Sequence, residues 1–224
     1  MSAESQTGLF ITFEGSEGCG KSTQIGMLVE KLRAQRRNPL AVREPGGTVL
    51  GEQIRHILKH VTDGGPMAPE TELLLFAASR AQLVREVIQP ALAEGRVVIS
   101  DRFWDSTTVY QGVARAISPD AVEQINHFAV GSLRPDVTFL LDMDSAESFA
   151  RAVSRRSPDE LADRMEQEPL AFYEAVRQGY LTLARAEPHR FCVLDASQSI
   201  EQIAEQIHAE LYRRSHAIFE GIRL

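Results

Sequence analysis

The chain has 224 residues, 43% of them hydrophobic and 25% charged, with a net charge of −7. That size and composition support one sizeable packed core, and no apolar run nears the ~18 residues that a membrane span needs. The acidic balance argues against a nucleic-acid surface, and two cysteines, Cys19 and Cys192, supply neither a disulfide framework nor a metal cluster.

Met1 to Thr7 is polar and lacks the basic and apolar regions of an export signal, so a cytoplasmic setting is expected. Leu9 to Phe13 is a short β-rich apolar run. It enters Gly15-Ser16-Glu17-Gly18-Cys19-Gly20-Lys21-Ser22-Thr23, which fits the phosphate-loop pattern G-x-x-x-x-G-K-[ST]. Ile25, Leu28, Val29 and Leu32 then fall on one helical face, in a helix expected to reach about Arg37. Leu40 to Val42 is a second strand, delivering Arg43-Glu44-Pro45-Gly46-Gly47-Thr48. Helices are expected over 50–59 and from Pro69 to about Leu92, with an exposed turn at Asp63-Gly64-Gly65-Pro66 between them.

Val97 to Ser100 reads as a strand buried on both faces, and it delivers Asp101-Arg102-Phe103. Helical patterns follow at 106–114 and 120–130. Val137 to Leu141 is a fourth strand, closing with Asp142. A helix from Ala146 to Arg156 gathers arginines, and another covers 170–186. Phe191 to Leu194 is a fifth strand, and Ile200, Ile203, Ile207 and Leu211 line one stripe of a last helix. Alternating strands and helices predict an α/β phosphate-loop NTPase fold, a five-stranded parallel sheet with helices on both faces. One domain over residues 1–224 is the simplest count, with a small lid at about 151–164.

The loop chemistry is direct. Gly15, Gly18 and Gly20 let the backbone bend and turn its N–H groups onto a polyphosphate, and the helix N-terminus adds positive potential. Lys21 supplies a mobile charge for the β- and γ-phosphates; Ser22 supplies a hydroxyl for Mg²⁺. Asp101, directly after a strand, is the expected acidic partner of that ion. Asp142 has the same placement, and capping the next helix is the favoured reading for it. Glu17 beside a triphosphate would be repelled, so it should face a second substrate. No arginine lies at residues 16–19, so the cation that eases phosphoryl transfer must come from elsewhere, with Arg151, Arg155 and Arg156 as candidates. Arg102 is placed to bind a substrate phosphate, and Phe76 and Arg80 share a helix face.

GSEGCGKS (15–22), REPGGT (43–48), FAASRAQL (76–83), DRF with DSTTVYQG (101–103, 105–112) and DRMEQE (163–168) resemble the thymidylate kinase family, in the same order and with similar gaps. The resemblance implies ATP and dTMP as substrates, Mg²⁺ as cofactor and a homodimer. It implies that Phe76 stacks on thymine, that Arg80 bonds its O4 and that Arg102 and Arg55 hold the acceptor phosphate. Glu17 would reach the sugar side, Tyr110 would crowd the sugar 2′ position, and Thr107 and Gln111 would sit near the base. It makes Pro45 a candidate for a cis bond, and it favours the bacterial branch in which the lid carries the catalytic arginine. Within the lid, Ser154 to Ala162 is several residues longer than the usual form, which leaves Arg151, Arg155 and Arg156 open for that role. The alternatives are a kinase for another nucleotide or deoxynucleoside, and a nucleotide-dependent switch.

Overall fold

The computed structural model describes residues 8–60, 65–154, 164 and 167–218, with side chains of the last helix through Arg214. The expected turn at 63–64 and the lid residues Arg155 and Arg156 lie outside the described residues.

Five strands form one parallel sheet: β1 (Leu9–Glu14), β2 (Leu40–Arg43), β3 (Val97–Asp101), β4 (Val137–Asp142) and β5 (Phe191–Asp195), in the spatial order β2-β3-β1-β4-β5. β1 is central and buried along its whole length. Side chains alternate across a strand. Leu9, Ile11 and Phe13 therefore join one core with α1 (Lys21–Ala34) and α9 (Ile200–Ile218). Phe10 joins the opposite core, with α3 (Pro69–Leu83), α4 (Gln89–Ala93) and α6 (Pro119–Val130). A third cluster packs α8 (Leu170–Ala186) against β4, β5 and the Thr108–Ala114 stretch. Inside the sheet, the Thr12 and Thr138 hydroxyls satisfy each other at 2.8 Å. The remaining helices are α2 (Val49–His60), α5 (Trp104–Thr107) and α7 (Ser145–Ser154).

Pro69 starts α3, where a missing N–H costs nothing. Three readings need correction. The first helix stops at Ala34, because Arg36 takes a left-handed φ of 59° before Asn38-Pro39 is reached. The 106–114 helix is a short α-turn followed by a π-helical stretch over Thr108–Ala114, and a second π stretch, Val84–Ile88, joins α3 to α4. Such insertions carry no hydrophobic-period signature, and they recur at functional sites. Ile200, at the start of α9, stays half exposed, while Ile203, Ile207 and Leu211 are buried. Among the described residues, no helix is long and apolar enough to cross a membrane.

Candidate active site

A cleft of about 380 Å³ opens at the carboxyl ends of β1, β2 and β3, the end at which parallel α/β sheets bind ligands. Three loops build it. The loop after β1 contributes Glu17, Gly18, Gly20, Lys21 and Ser22; the loop after β2 contributes Glu44 and Pro45; β3 delivers Asp101 and Arg102. Arg55 from α2, Phe76 from α3, Thr107 from α5, and Tyr110 and Gln111 from the π stretch complete the wall.

The phosphate loop needs its glycines. Gly20 caps α1 with a left-handed φ of 98°. Gly18 sits at φ 77°, and a Cβ there would lie 2.5 Å from the Ser148 carbonyl oxygen of α7. Ser148 Oγ also donates to the Glu17 carbonyl, so α7 is seated against the loop. Lys21 Nζ donates to the carbonyls of Gly15 (3.0 Å) and Ser16 (2.8 Å), holding the ammonium at the rim of the cradle. Ser16 and Cys19 are buried in the loop, and Thr23 follows on α1, exposed. Ser22 Oγ donates to Asp101 Oδ2 at 3.1 Å. A hydroxyl and a carboxylate therefore converge beside Lys21, a donor set that suits Mg²⁺. Among the described residues, no group of three or more His, Cys, Asp or Glu side chains forms a metal cage. An ion held by one or two protein oxygens plus substrate phosphates needs none.

Asp142 is not the helix cap. It receives Arg177 in a two-pronged ion pair, Nε at 2.8 Å and Nη2 at 3.0 Å. Asp144 caps α7 instead, accepting the backbone N–H groups of Ala146 and Glu147. With Asp142 committed, Asp101 is the carboxylate that meets Ser22.

Arg102 and Arg55 add positive charge to the cleft. Arg102 takes a left-handed φ of 71°, a strained backbone for a non-glycine residue. Its Nη2 donates to Glu17 Oε1 at 2.7 Å, its Nη1 to Ser106 Oγ and Tyr180 Oη, and its guanidinium lies 5.1 Å from the centre of the Tyr110 ring. Arg102, against the opposing effect of burial, holds the Glu17 carboxyl down at about 2. Arg55 Nη1 bonds the Pro45 carbonyl at 2.9 Å. The Glu44–Pro45 peptide is cis.

Two expected site residues are placed elsewhere. Arg80 does not line the cleft. It is 1% exposed, and its guanidinium bonds Glu44 Oε2 (2.7 Å), Asn126 Oδ1 (3.0 Å) and Thr107 Oγ1 (2.9 Å). It holds two lining residues from behind. Arg151 turns to Glu147 at 2.6 Å and towards the Ala196 carbonyl, leaving its neighbour Ala152 to line the cleft.

The family model for thymidylate kinase matches residues 13–207. The chain belongs to the thymidylate kinase family. It is accordingly a nucleoside monophosphate kinase, a phosphotransferase with dTMP as acceptor and ATP as donor. A thymidylate kinase of Geobacter sulfurreducens is 48% identical over 209 residues, covering 92% of this chain and 98% of that one. One from Bifidobacterium longum subsp. infantis is 48% identical over 207 residues, covering 92% and 86%. The crystal structure of thymidylate kinase from Ehrlichia chaffeensis superposes with a TM-score of 0.72 at 32% identity, covering 91% and 98%.

The fold also brings in residues to which the thymidylate kinase resemblance gave no role. Glu72, fully buried on α3, accepts Gln111 Nε2 at 2.6 Å and pairs with Arg164 Nη1 at 2.5 Å and Arg115 Nη2 at 3.4 Å. Asp105 pairs with Arg190 at 2.6 Å behind β4. Glu14 collects Phe103, Ser106 and Tyr180. These partners lie 39 to 166 residues apart, so no local spacing could reveal them.

Proposed function

We propose that the transfer runs as an in-line attack of a dTMP phosphate oxygen on the γ-phosphate of ATP, across the cleft between the phosphate loop and Arg102. What supports this most directly is that a single cleft gathers the Ser22–Asp101 pair and Lys21 together with Arg102, Arg55 and Phe76. No general base is required, because the attacking oxygen is already anionic. Catalysis is positioning plus charge stabilisation.

The loop N–H groups of residues 15–23 and Lys21 hold the ATP phosphates. Ser22 and Asp101 would hold Mg²⁺, which neutralises charge on the β- and γ-oxygens. Arg102 and Arg55 hold the acceptor phosphate. That phosphate takes over the Arg102 contact made by Glu17, freeing Glu17 towards the sugar. Phe76 stacks on thymine, Thr107 and Gln111 face the base, and Tyr110 fills the space of a ribose 2′-hydroxyl. Arg80 acts from behind, fixing Thr107 and Glu44. The lid, about residues 151–164 of the single domain, excludes water and supplies the transfer cation from Arg155 or Arg156, since Arg151 is paired with Glu147.

The enzyme works in the cytoplasm as a homodimer. Leu74 on α3 and Phe128 on α6, 89% exposed, sit on helices that pack together and offer an apolar face. Phe128→Asp should shift sedimentation to the monomer, and an unchanged dimer would move the interface elsewhere. The reaction is tested by ADP formation with dTMP, dUMP, dCMP and thymidine as rival acceptors. Formation that requires an acceptor, and prefers dTMP, is expected. A preference for any other acceptor, or acceptor-independent hydrolysis, contradicts it.

A further inference from the structure

Glu14 ends β1 and is fully buried, yet no step above uses it. Its Oε1 accepts the Phe103 backbone N–H at 2.8 Å. Its Oε2 lies 2.7 Å from Ser106 Oγ and 2.8 Å from Tyr180 Oη, and those hydroxyls are 2.9 Å from each other. Three oxygens form a closed triangle with every side at hydrogen-bond distance.

Three hydrogen bonds need three protons. Ser106 and Tyr180 bring one each. An ionised Glu14 brings none, and one side of the triangle would then set lone pair against lone pair. A neutral Glu14 closes the ring. Its proton belongs on Oε2, because Oε1 is committed to the Phe103 amide. In the closed ring each hydroxyl donates once and accepts once. One lone pair on each is left over, and Arg102 Nη1 faces both, at 3.2 Å from Ser106 Oγ and 3.3 Å from Tyr180 Oη.

We propose that Glu14 is a positioning residue for the transfer: as a neutral carboxylic acid it closes the Ser106–Tyr180 ring on which the Arg102 guanidinium rests. This rests on the reading of Arg102 as the holder of the acceptor phosphate. The ring braces Nη1 from behind and leaves Nη2 aimed at Glu17 and the cleft. Neutrality matters because a second carboxylate this close would compete with the incoming phosphate for the Arg102 charge. Burial, reinforced by the charge of Asp105, pushes the Glu14 carboxyl up to about 7 against Arg102, Ser106 and Tyr180. The charged and titratable groups facing it are Arg102 after β3, Asp105 of α5 with its partner Arg190, Tyr180 of α8, and Glu44 after β2 with its partner Arg80.

The experiment pairs two readouts on the full chain. Carbon NMR of ¹³C-carboxyl glutamate, with the Glu14 signal assigned by its loss in Glu14→Gln, follows the proton. The KM for dTMP between pH 7 and 9, where the dTMP phosphate is largely dianionic, follows the coupling. Glu14 should titrate near neutrality, and the wild-type KM should climb about tenfold as the ring loses its proton, one pKa unit of lost binding. Glu14→Gln, whose amide donates where the acid proton did, should give a flat profile with the KM for ATP unaltered in shape. Thermal melts at each pH separate this from loss of fold. A Glu14 signal at the ionised position at pH 6 overturns the neutral ring, whatever Arg102 does. A Gln variant as steep as wild type overturns the coupling. Should Glu14 titrate as expected while Arg102→Ala leaves the KM for dTMP unmoved, the ring stands and the phosphate role of Arg102 fails.

Discussion

The two parts of the cleft, which the proposed roles make a donor wall and an acceptor wall, are built by different means. The donor wall is local: nine consecutive residues, Gly15 to Thr23, wrap a turn with three glycines at positive φ and meet one strand-end carboxylate, Asp101. The acceptor wall is assembled from afar. Arg102, Phe76, Thr107 and Gln111 come from separate elements, and ion pairs stand behind two of them: Glu44–Arg80 holds Thr107 and Glu72–Arg164 holds Gln111. A backbone cradle suits a phosphate chain, which presents the same oxygens wherever it occurs. Reading one base and one sugar needs side chains at fixed angles, and fixed angles need a second layer of support.

That contrast is sharpest at Arg80. Arg80→Met leaves Glu44 buried and unpaired and should cost ~3–5 kcal/mol of stability, read by denaturant unfolding. Adding Glu44→Leu should recover most of it; no recovery would mean that Arg80 acts through packing alone. The lid should answer differently, losing rate rather than fold. Arg155→Ala with Arg156→Ala should lower kcat by ~10³ or more, on the scale of other arginines that stabilise phosphoryl transfer, with an unchanged Tm. A loss below tenfold would return the role to Arg151.

Glu14, at the seam between the walls, should leave its mark in pH. Its folded-state pKa of about 7 stands above the ordinary 4.5, so the folded chain holds the proton more tightly. Its contribution is therefore full below about pH 4.5 and fades as pH rises to about 7, on the order of 3 kcal/mol in all. Glu14→Gln removes that fall, so its Tm relative to wild type should rise from pH 5 to pH 8. A constant difference would contradict the shift. The smallest effect belongs to Glu17, whose carboxylate reaches from the phosphate loop to Arg102. Glu17→Ala should raise the KM for dTMP by about tenfold, the scale of one charged hydrogen bond, and the KM for ATP much less. Equal effects would place Glu17 on the donor wall.

The same division governs what the sequence disclosed. All five strands and the phosphate loop follow from short-range pattern, because each is encoded in adjacent residues, and Asp101 is legible as a strand-end acid although it meets Ser22 across 79 residues. The roles of Phe76, Tyr110 and Gln111 come from resemblance to a family, and helical spacing alone says only that Phe76 and Arg80 share a face. Arg80 proved buried because its partners Glu44, Thr107 and Asn126 are neighbours in space alone. Asp142 and Asp101 look alike as strand-end acids; the helix that crosses behind Asp142 and brings Arg177 tells them apart. Glu14 lies where strand meets loop, and the pattern gives it no role there, although it shares the face of Phe10 and Thr12. The π stretch under Tyr110 and Gln111 has no sequence period of its own.

The most direct measurement is titration calorimetry of dTMP into the protein saturated with a non-hydrolysable ATP analogue and Mg²⁺. Two walls serving two nucleotides require one dTMP bound per chain with the analogue in place, and loss of that binding in Arg102→Ala. Displacement of dTMP by the analogue, or no dTMP binding at all, would mean that the cleft holds a single nucleotide.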